Sequence, residues 1–272
     1  MVTTDMTGKE LLEAGYEFVS PAQKEVRKKY TKMINSRDGR HFTMMKRDNF
    51  KVIKENLTLQ QYGVLLYLAT CMKINQDGKL FTKKGDLLTV KHLVASLGKT
   101  RSQVNKILSE LESNGLITRE TVGKTTYVNM TDAVFVCEKL KEEYKVVKIF
   151  KAHLQEKAKS ISLNALGLFG MMLSYMSWNT NLIVENPDEE ETSKLVLLKR
   201  KHLEGLLGLS RPTVKKLMEE LGENRLIVEI KSVTEAICLD PKAVSRQAKK
   251  ITLEELLDNI EKASFSKDNF KK

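Results

Sequence analysis

Two stretches of the chain carry apolar residues at helical spacing behind a capping residue. Behind Thr58 these are Leu59, Tyr62, Leu65, Leu66 and Ala69; behind Ser162 they are Leu163, Leu166, Phe169, Met172 and Leu173. Recurrence every three to four residues marks one helix face, and a Ser or Thr in front accepts a free backbone N–H. Each stretch is read as a core-facing helix whose aromatic and Met residues pack rather than bind a ligand. A polar loop and a brief apolar pair follow (Leu87-Leu88, Leu197-Leu198), read as a short strand. A second helix runs from about Lys91 to Leu97, and from about Lys201 to Leu207. It ends at Gly98 or Gly208, where a left-handed residue stops it. A third helix begins almost at once. Thr100 and Gln103 form a capping box, Ser210 caps the counterpart, and Pro212 is tolerated in a first turn. Its buried stripe is Val104, Ile107, Leu108 and Leu111, or Val214, Leu217, Met218 and Leu221. Two β-rich runs close each set: Leu116–Thr121 and Thr125–Val128 around Val122-Gly123-Lys124, then Leu226–Ile230 and Ala236–Leu239.

The two sets are copies. Shifted by 110 residues, 87–117 and 197–227 agree at fifteen of 31 positions without a gap, Lys91-His92-Leu93 with Lys201-His202-Leu203 among them. Upstream, 57–72 resembles 161–176, and Phe50–Lys54 resembles Tyr144–Lys148; downstream, Ala133-Val134 matches Ala243-Val244. The second copy carries an insertion with Asn186, Pro187 and the acidic run Asp188–Glu191. Two helices joined by a three-residue turn make a helix-turn-helix, and a hairpin directly after it makes a winged helix. The expected fold is therefore mainly α with small β-hairpins (α+β), built as two tandem winged helix-turn-helix domains. The first spans about 50–138 and the second about 139–246. Residues 1–49 form a basic N-terminal segment, partly helical around Pro21 to Met33. In 247–272, Thr252 caps a short amphipathic helix from Leu253 to Ile260 that packs on a domain or on a second protomer.

Charge gives this fold a partner. The formal net charge is +11, and residues 21–54 hold eleven Lys or Arg against Glu25, Asp38 and Asp48. Clustering of this kind suits a polyanion better than it suits simple solubility. Cys71, Cys137 and Cys238 have neither metal nor disulfide spacing and read as reduced thiols of a cytoplasmic protein. No apolar run is long enough to span a bilayer. Gly98-Lys99-Thr100 and Gly123-Lys124-Thr125 look like phosphate-loop ends, but Leu93 and Thr118 stand where such a loop needs its first glycine. No Ser-centred elbow, HExxH or carboxylate cluster appears either. No catalytic residue, cofactor or metal is expected, and the paired His92 and His202 lack partner ligands at suitable spacing.

Duplex DNA fits what is left. The major groove admits one helix, Arg pairs with guanine there, and Asn or Gln pairs with adenine. In the first copy Arg101, Gln103 and Asn105 are placed to read bases, with Thr100, Ser102, Lys91 and Lys106 on the backbone. In the second, Arg211, Thr213 and Lys215 are the counterparts, with Ser210, Lys201 and Lys216 on phosphate. Arg119 and Lys124 suit the tip of the first wing. The second wing is weaker, with Lys231 between Glu229 and Glu235, and Asp188–Glu191 must face away from phosphate.

The run Leu93-x3-Leu97-Gly98-x2-Arg101-x2-Val104-x2-Ile107-Leu108-x2-Leu111-x2-Asn114-Gly115-Leu116-Ile117 resembles the DNA-binding core of winged-helix regulators of the MarR type. The wider unit, from Asp48–Val52 to Tyr127–Met130, is similar to small winged-helix replication proteins of Gram-positive plasmids and phages. The likeness covers about 50–134 and again 144–244. The chain departs from the first group in its two unlike copies and missing dimerisation helices, and from the second in being doubled. The resemblance implies a sequence-specific double-stranded-DNA-binding protein, foremost a transcription regulator of a phage or other mobile element. Two alternatives stand beside it: a replication initiator on origin repeats, and a docking module for replication or transcription machinery. A homodimer is a further possibility.

Overall fold

The computed structural model describes residues 7, 9, 13, 15, 19–35, 38–140, 142–231, 235–264 and 269. It divides into two units: residues 1–39 with 248–250, and residues 40–247 with 251–272.

In the first unit α1 (Pro21–Asn35) occupies the stretch expected to be helical. Its start is capped reciprocally: Gln23 N–H donates to Ser20 Oγ (3.1 Å) and Ser20 N–H to Gln23 Oε1 (2.9 Å). Every residue from 21 to 31 is exposed, Val26 and Tyr30 included.

The second unit is mixed α and β with small antiparallel sheets. Its first half runs β1 (Phe42–Lys46), α2 (Arg47–Val52), α3 (Leu59–Thr70), α4 (Val90–Leu97), α5 (Arg101–Ser113), β2 (Ile117–Val122), β3 (Thr125–Met130) and β4 (Phe135–Val136). The second half repeats the order: β5 (Val146–Phe150), α6 (Lys151–Lys157), α7 (Leu163–Met172), α8 (Arg200–Leu207), α9 (Arg211–Glu223), β6 (Ile227–Lys231), β7 (Glu235–Leu239) and β8 (Val244–Ser245). A last helix, α10 (Leu253–Ser264), ends the described chain except for Asn269.

Local chemistry accounts for the boundaries. Thr58, Thr89 and Thr100 each close a capping box, with Gln61, His92 and Gln103 respectively. Gly98 (φ 60°) and Gly208 (φ 62°) end α4 and α8 in the left-handed region, as expected from their positions. Ser210 stands at the N-cap of α9, but its hydroxyl pairs with Thr213 Oγ1 (2.8 Å) instead of a backbone N–H. The apolar pairs at 87–88 and 197–198 make single bridges, Phe81 with Leu87 and Val184 with Leu197, rather than full strands.

The halves share one sheet, ordered β4-β1-β5-β8. Strands β1 and β5 pair antiparallel with Met44 opposite Lys148, Phe42 opposite Phe150 and Lys46 opposite Val146. The difference 148 − 44 is 104, the same offset that relates α3 to α7 (163 − 59). Met44 and Lys148 are thus equivalent residues paired with each other, which marks an approximate two-fold axis through the centre of the sheet. The helices repeat this. A Cβ on Gly63 would overlap the Leu163 carbonyl, and a Cβ on Gly167 would overlap that of Leu59. Each contact is the other shifted by 104, so α3 and α7 cross at the axis with their backbones touching.

This geometry changes several expectations. Residues 42–49 were placed with the basic tail, yet 42–46 form a central strand. Phe50–Lys54 lie in α2 and a 3-10 turn, whereas Tyr144–Lys148 lead into and form β5, so their likeness is not structural. The counterpart of β5 is β1. Helices α3 and α7 are core helices, as expected, but are buried on all faces and not on one stripe alone. Residues 61–70 and 165–172 are buried throughout, as befits helices enclosed on every side. The expected boundary near 138–139 falls between β4 and β5, two strands of one sheet. A single hydrophobic cluster contains Phe50, Tyr62 and Phe135 of the first half with Leu166, Phe169 and Met172 of the second. Phe50 lies 5.1 Å from Tyr62 and 5.9 Å from Phe135, ring centre to ring centre.

An ion cluster fastens the halves at the inserted acidic run. Arg47 donates both terminal nitrogens to Asp188 (2.5 and 2.7 Å), Lys145 Nζ approaches the same carboxylate (2.8 Å), and Arg246 reaches it at 3.2 Å. Hydrogen bonding from Arg47 first, then from Lys145 and Arg246, holds the Asp188 carboxyl well below the usual carboxylate range. Burial opposes the charge on both arginines. Hydrogen bonds to Asp188 and Asp48 win at Arg47, while burial wins at Arg246, whose side chain is fully enclosed.

Helix α10 runs four residues beyond its expected end and is capped by Thr252, whose Oγ1 accepts from Glu255 N–H (3.2 Å). Its Leu256, Ile260 and Ala263 pack on a second, smaller cluster with Leu182, Leu195 and Ala236. The C-terminal helix therefore packs on the second half.

Candidate nucleic-acid interface

Each half presents α4 or α8, a three-residue turn, then α5 or α9, with a hairpin behind. The buried stripe of α5 is Val104, Ile107, Leu108 and Leu111, and that of α9 is Val214, Leu217, Met218 and Leu221. The opposite faces are turned outward. Arg101, Ser102, Gln103 and Lys106 are exposed and Asn105 is half-buried; Arg211, Thr213, Lys215 and Lys216 are all exposed. Lys91 and Lys201 stand exposed at the starts of α4 and α8, and Thr100 and Ser210 at the N-caps. Lys124 is exposed in the two-residue turn of the first hairpin, beside Gly123 (φ 60°).

Equivalent glutamates anchor both outward helices beside the two-fold axis. Glu110 accepts from the Gln61 side chain at the start of α3. Glu220 accepts from Ser162 at the start of α7, through the backbone N–H and the Oγ–H (2.9 Å). Each outward helix is thus fastened to the start of the central helix of its own half, α5 to α3 and α9 to α7. Between α5 and the end of α8 opens a cleft of about 870 Å³, with Gln103, Lys106 and Glu110 on one wall and Leu206–Leu209 on the other.

Several expected contact residues have local partners. Gln103 Oε1 accepts from Thr100 N–H (3.1 Å) and Thr100 Oγ1 from Gln103 N–H (3.3 Å), so both side chains serve the cap. Arg119 is held by Glu112, through its backbone N–H (3.0 Å) and Nε (2.9 Å), while its Nη2 also reaches Ser109 Oγ (3.1 Å). Hydrogen bonding to Arg119 lowers the Glu112 pKa. Arg119 thereby ties the first hairpin to α5. The second hairpin is tied by Arg200 at the start of α8, which donates to Glu229 from Nε at 2.9 Å. That bond accounts for Glu229, which looked like an acidic flaw in a wing; the Lys231 side chain and 232–234 lie outside the described residues. Lys215 lies 3.9 Å from Glu219 with both exposed, a contact worth little.

The paired histidines also have a role that spacing did not reveal. His92 Nδ1 accepts from Thr89 N–H (3.2 Å) and His202 Nδ1 from Lys199 N–H (3.2 Å), each closing the start of its helix. A capping box was legible at Thr100 because Gln is its usual partner; His in that place was the missed signal. The Gly-Lys-Thr triplets are explained by backbone geometry. One joins the end of α4 to the cap of α5, and the other makes the hairpin turn.

Among the described residues, no group of three or more His, Cys, Asp or Glu is placed to hold a metal ion, and no helix is long and apolar enough to cross a membrane. Searches for a matching protein family, a similar curated protein or a similar solved structure found none.

Proposed function

We propose that this protein binds specific double-stranded DNA through two winged helix-turn-helix units, and that it regulates transcription from a phage or other mobile element. The reading rests on one observation: a two-fold axis relates β1 to β5 and α3 to α7, and the α5 and α9 that follow each turn a polar face outward. Duplex DNA has local two-fold axes of its own, and paired recognition helices meet successive major-groove segments when the axes coincide. Ordinarily two chains supply the pair; here one chain does. Arg101 and Arg211 hold the same place in the two helices and are the leading base readers. Ser102, Asn105 and Lys106, with Thr213, Lys215 and Lys216, surround them. Lys91, Lys201 and Lys124 are placed to bind phosphates.

A second reading, a replication initiator on origin repeats, draws on the difference between the helices. Gln103 and Asn105 face Thr213 and Lys215 at equivalent positions, which suits unlike half-sites better than a palindrome. Selection of bound sequences from a random library, at near-physiological salt, tests both. A defined motif is expected; only generic, salt-sensitive binding would overturn the proposal. Motifs overlapping promoters support the regulator, and direct repeats beside an AT-rich stretch support the initiator. On the selected site, Arg101→Ala and Arg211→Ala should each cost about 1–3 kcal/mol and relax one half of the motif.

A further inference from the structure

A pocket of about 400 Å³ lies in the first half, away from the outward faces of α5 and α9. Its walls come from α3 and its end, α4, the loop 82–88, and the α6 region of the second half. Hydrogen-bond donors dominate it. Lys83, Lys84 and Lys159 are exposed lysines on the rim, against one acid, Asp86. Thr82 Oγ1 is buried with no hydrogen-bond partner. His92 lends its Nδ1 as an acceptor to the Thr89 N–H, so in the neutral ring Nε2 carries the proton and is a donor. Gln155, nine-tenths buried, also lines it, with its Nε2 donating to Cys71 Sγ (3.5 Å). Tyr67, Cys71, Leu88 and Ala95 supply less polar wall. Burial pushes the Cys71 thiol up to about 11, so it stays protonated and serves as lining.

The internal two-fold provides a control. The positions equivalent to Tyr67, Cys71 and Gln155 hold Met171, Tyr175 and Lys51. This chemistry is therefore particular to one half and not a by-product of the repeated fold.

We infer that this pocket binds a small anion bearing a phosphate or carboxylate group, with the Thr82 hydroxyl, His92 Nε2–H and the three lysines as its donors. The bound anion bridges α4, which supports the first outward helix, to the α6 region of the other half. An effector at this point would couple the two halves. Binding of the anion does not depend on the DNA-binding reading, and its test uses no DNA.

The test follows the Cε1–H signals of the four histidines by NMR in the full-length protein. Inorganic phosphate is titrated in one arm and succinate in another, each against chloride at matched ionic strength and constant pH. The His92 signal, assigned through His92→Gln, should move along a saturable curve. His202, its two-fold counterpart with the same capping bond, should stay still. Saturation by phosphate alone assigns a phosphate ligand, by succinate alone a carboxylate, and by both either class. Thr82→Val should weaken binding about tenfold, the loss of one hydrogen bond to a charged group. The triple variant Lys83→Gln, Lys84→Gln, Lys159→Gln changes only exposed side chains, so it should fold and lose the response. The inference fails if neither anion moves His92, if His92 and His202 drift together without saturating, or if the triple variant responds like the parent.

Discussion

At the residue scale, two glycines and one aspartate carry the join between the halves. Gly63 and Gly167 let α3 and α7 touch backbone to backbone. Alanine favours a helix interior over glycine by about 1 kcal/mol, so an exposed site would gain from the change. Here the added methyl meets a main-chain carbonyl that cannot rotate away. Gly63→Ala and Gly167→Ala are each expected to lose about 3 kcal/mol in urea unfolding, the range of severe overpacking. Asp188 works through charge. Removing it leaves Arg47 and the enclosed Arg246 facing each other, and Asp188→Asn should cost about 2–4 kcal/mol. The lower part of that range allows for a side chain that is 40% exposed. Because its folded-state pKa lies below the unfolded value of about 3.9, its contribution is complete above about pH 5 and is lost progressively as pH falls toward the folded-state value. The gap between the urea midpoints of parent and Asp188→Asn should stay constant from pH 7 to about pH 5 and narrow from there to pH 3; a gap that does not change with pH would refute the assignment.

At the element scale, the hairpins separate two jobs that composition lumps together. Arg119 and Lys124 are both basic and both in the first hairpin, and both were expected at a wing tip. Only Lys124 is in the turn; Arg119 is folded back on Glu112. Arg119→Ala should lower stability by about 1 kcal/mol and shift the hairpin, with the salt dependence of DNA binding unchanged. Lys124→Ala should leave stability alone and reduce the salt slope by about one. Equal slopes for parent and Lys124→Ala would remove that residue from the interface. The helices were legible because their signals are local: caps at Thr58, Thr100 and Ser162, and the terminating Gly98 and Gly208. Strand β1 was not. Phe42–Lys46 is five residues long, and its partner lies more than a hundred residues away. The repeat itself also misled: six extra residues in the second half shift the offset from 104 before α4 to 110 after it. The Phe50–Lys54 match with Tyr144–Lys148, drawn at an offset of 94 that belongs to neither stretch, joined a helix to a strand.

For the folded unit as a whole, the shared sheet and core imply that neither half is stable alone. On the proposed DNA-binding reading, one chain then suffices for a two-part site. Sedimentation of the protein with a duplex carrying the selected site should give one chain per duplex. Two chains per site would mean that α5 and α9 do not act on the same DNA. The outward residues of α5 and α9 were legible from the repeat, since a recognition face is a local pattern. The two-fold that relates the halves was not, because it depends on Gly63, Gly167 and a strand pairing that no local rule encodes.

The covalent join across the two-fold has a consequence for heredity. In a dimer of identical chains, one codon specifies the same residue in both reading helices, so every substitution strikes both halves of the target at once. In this chain α5 and α9 are written separately. If each reads its own half of a DNA target, as proposed, each can drift with that half while the other holds the complex in place. The bound protein then has a left and a right, and what it presents to one flank of its site differs from what it presents to the other.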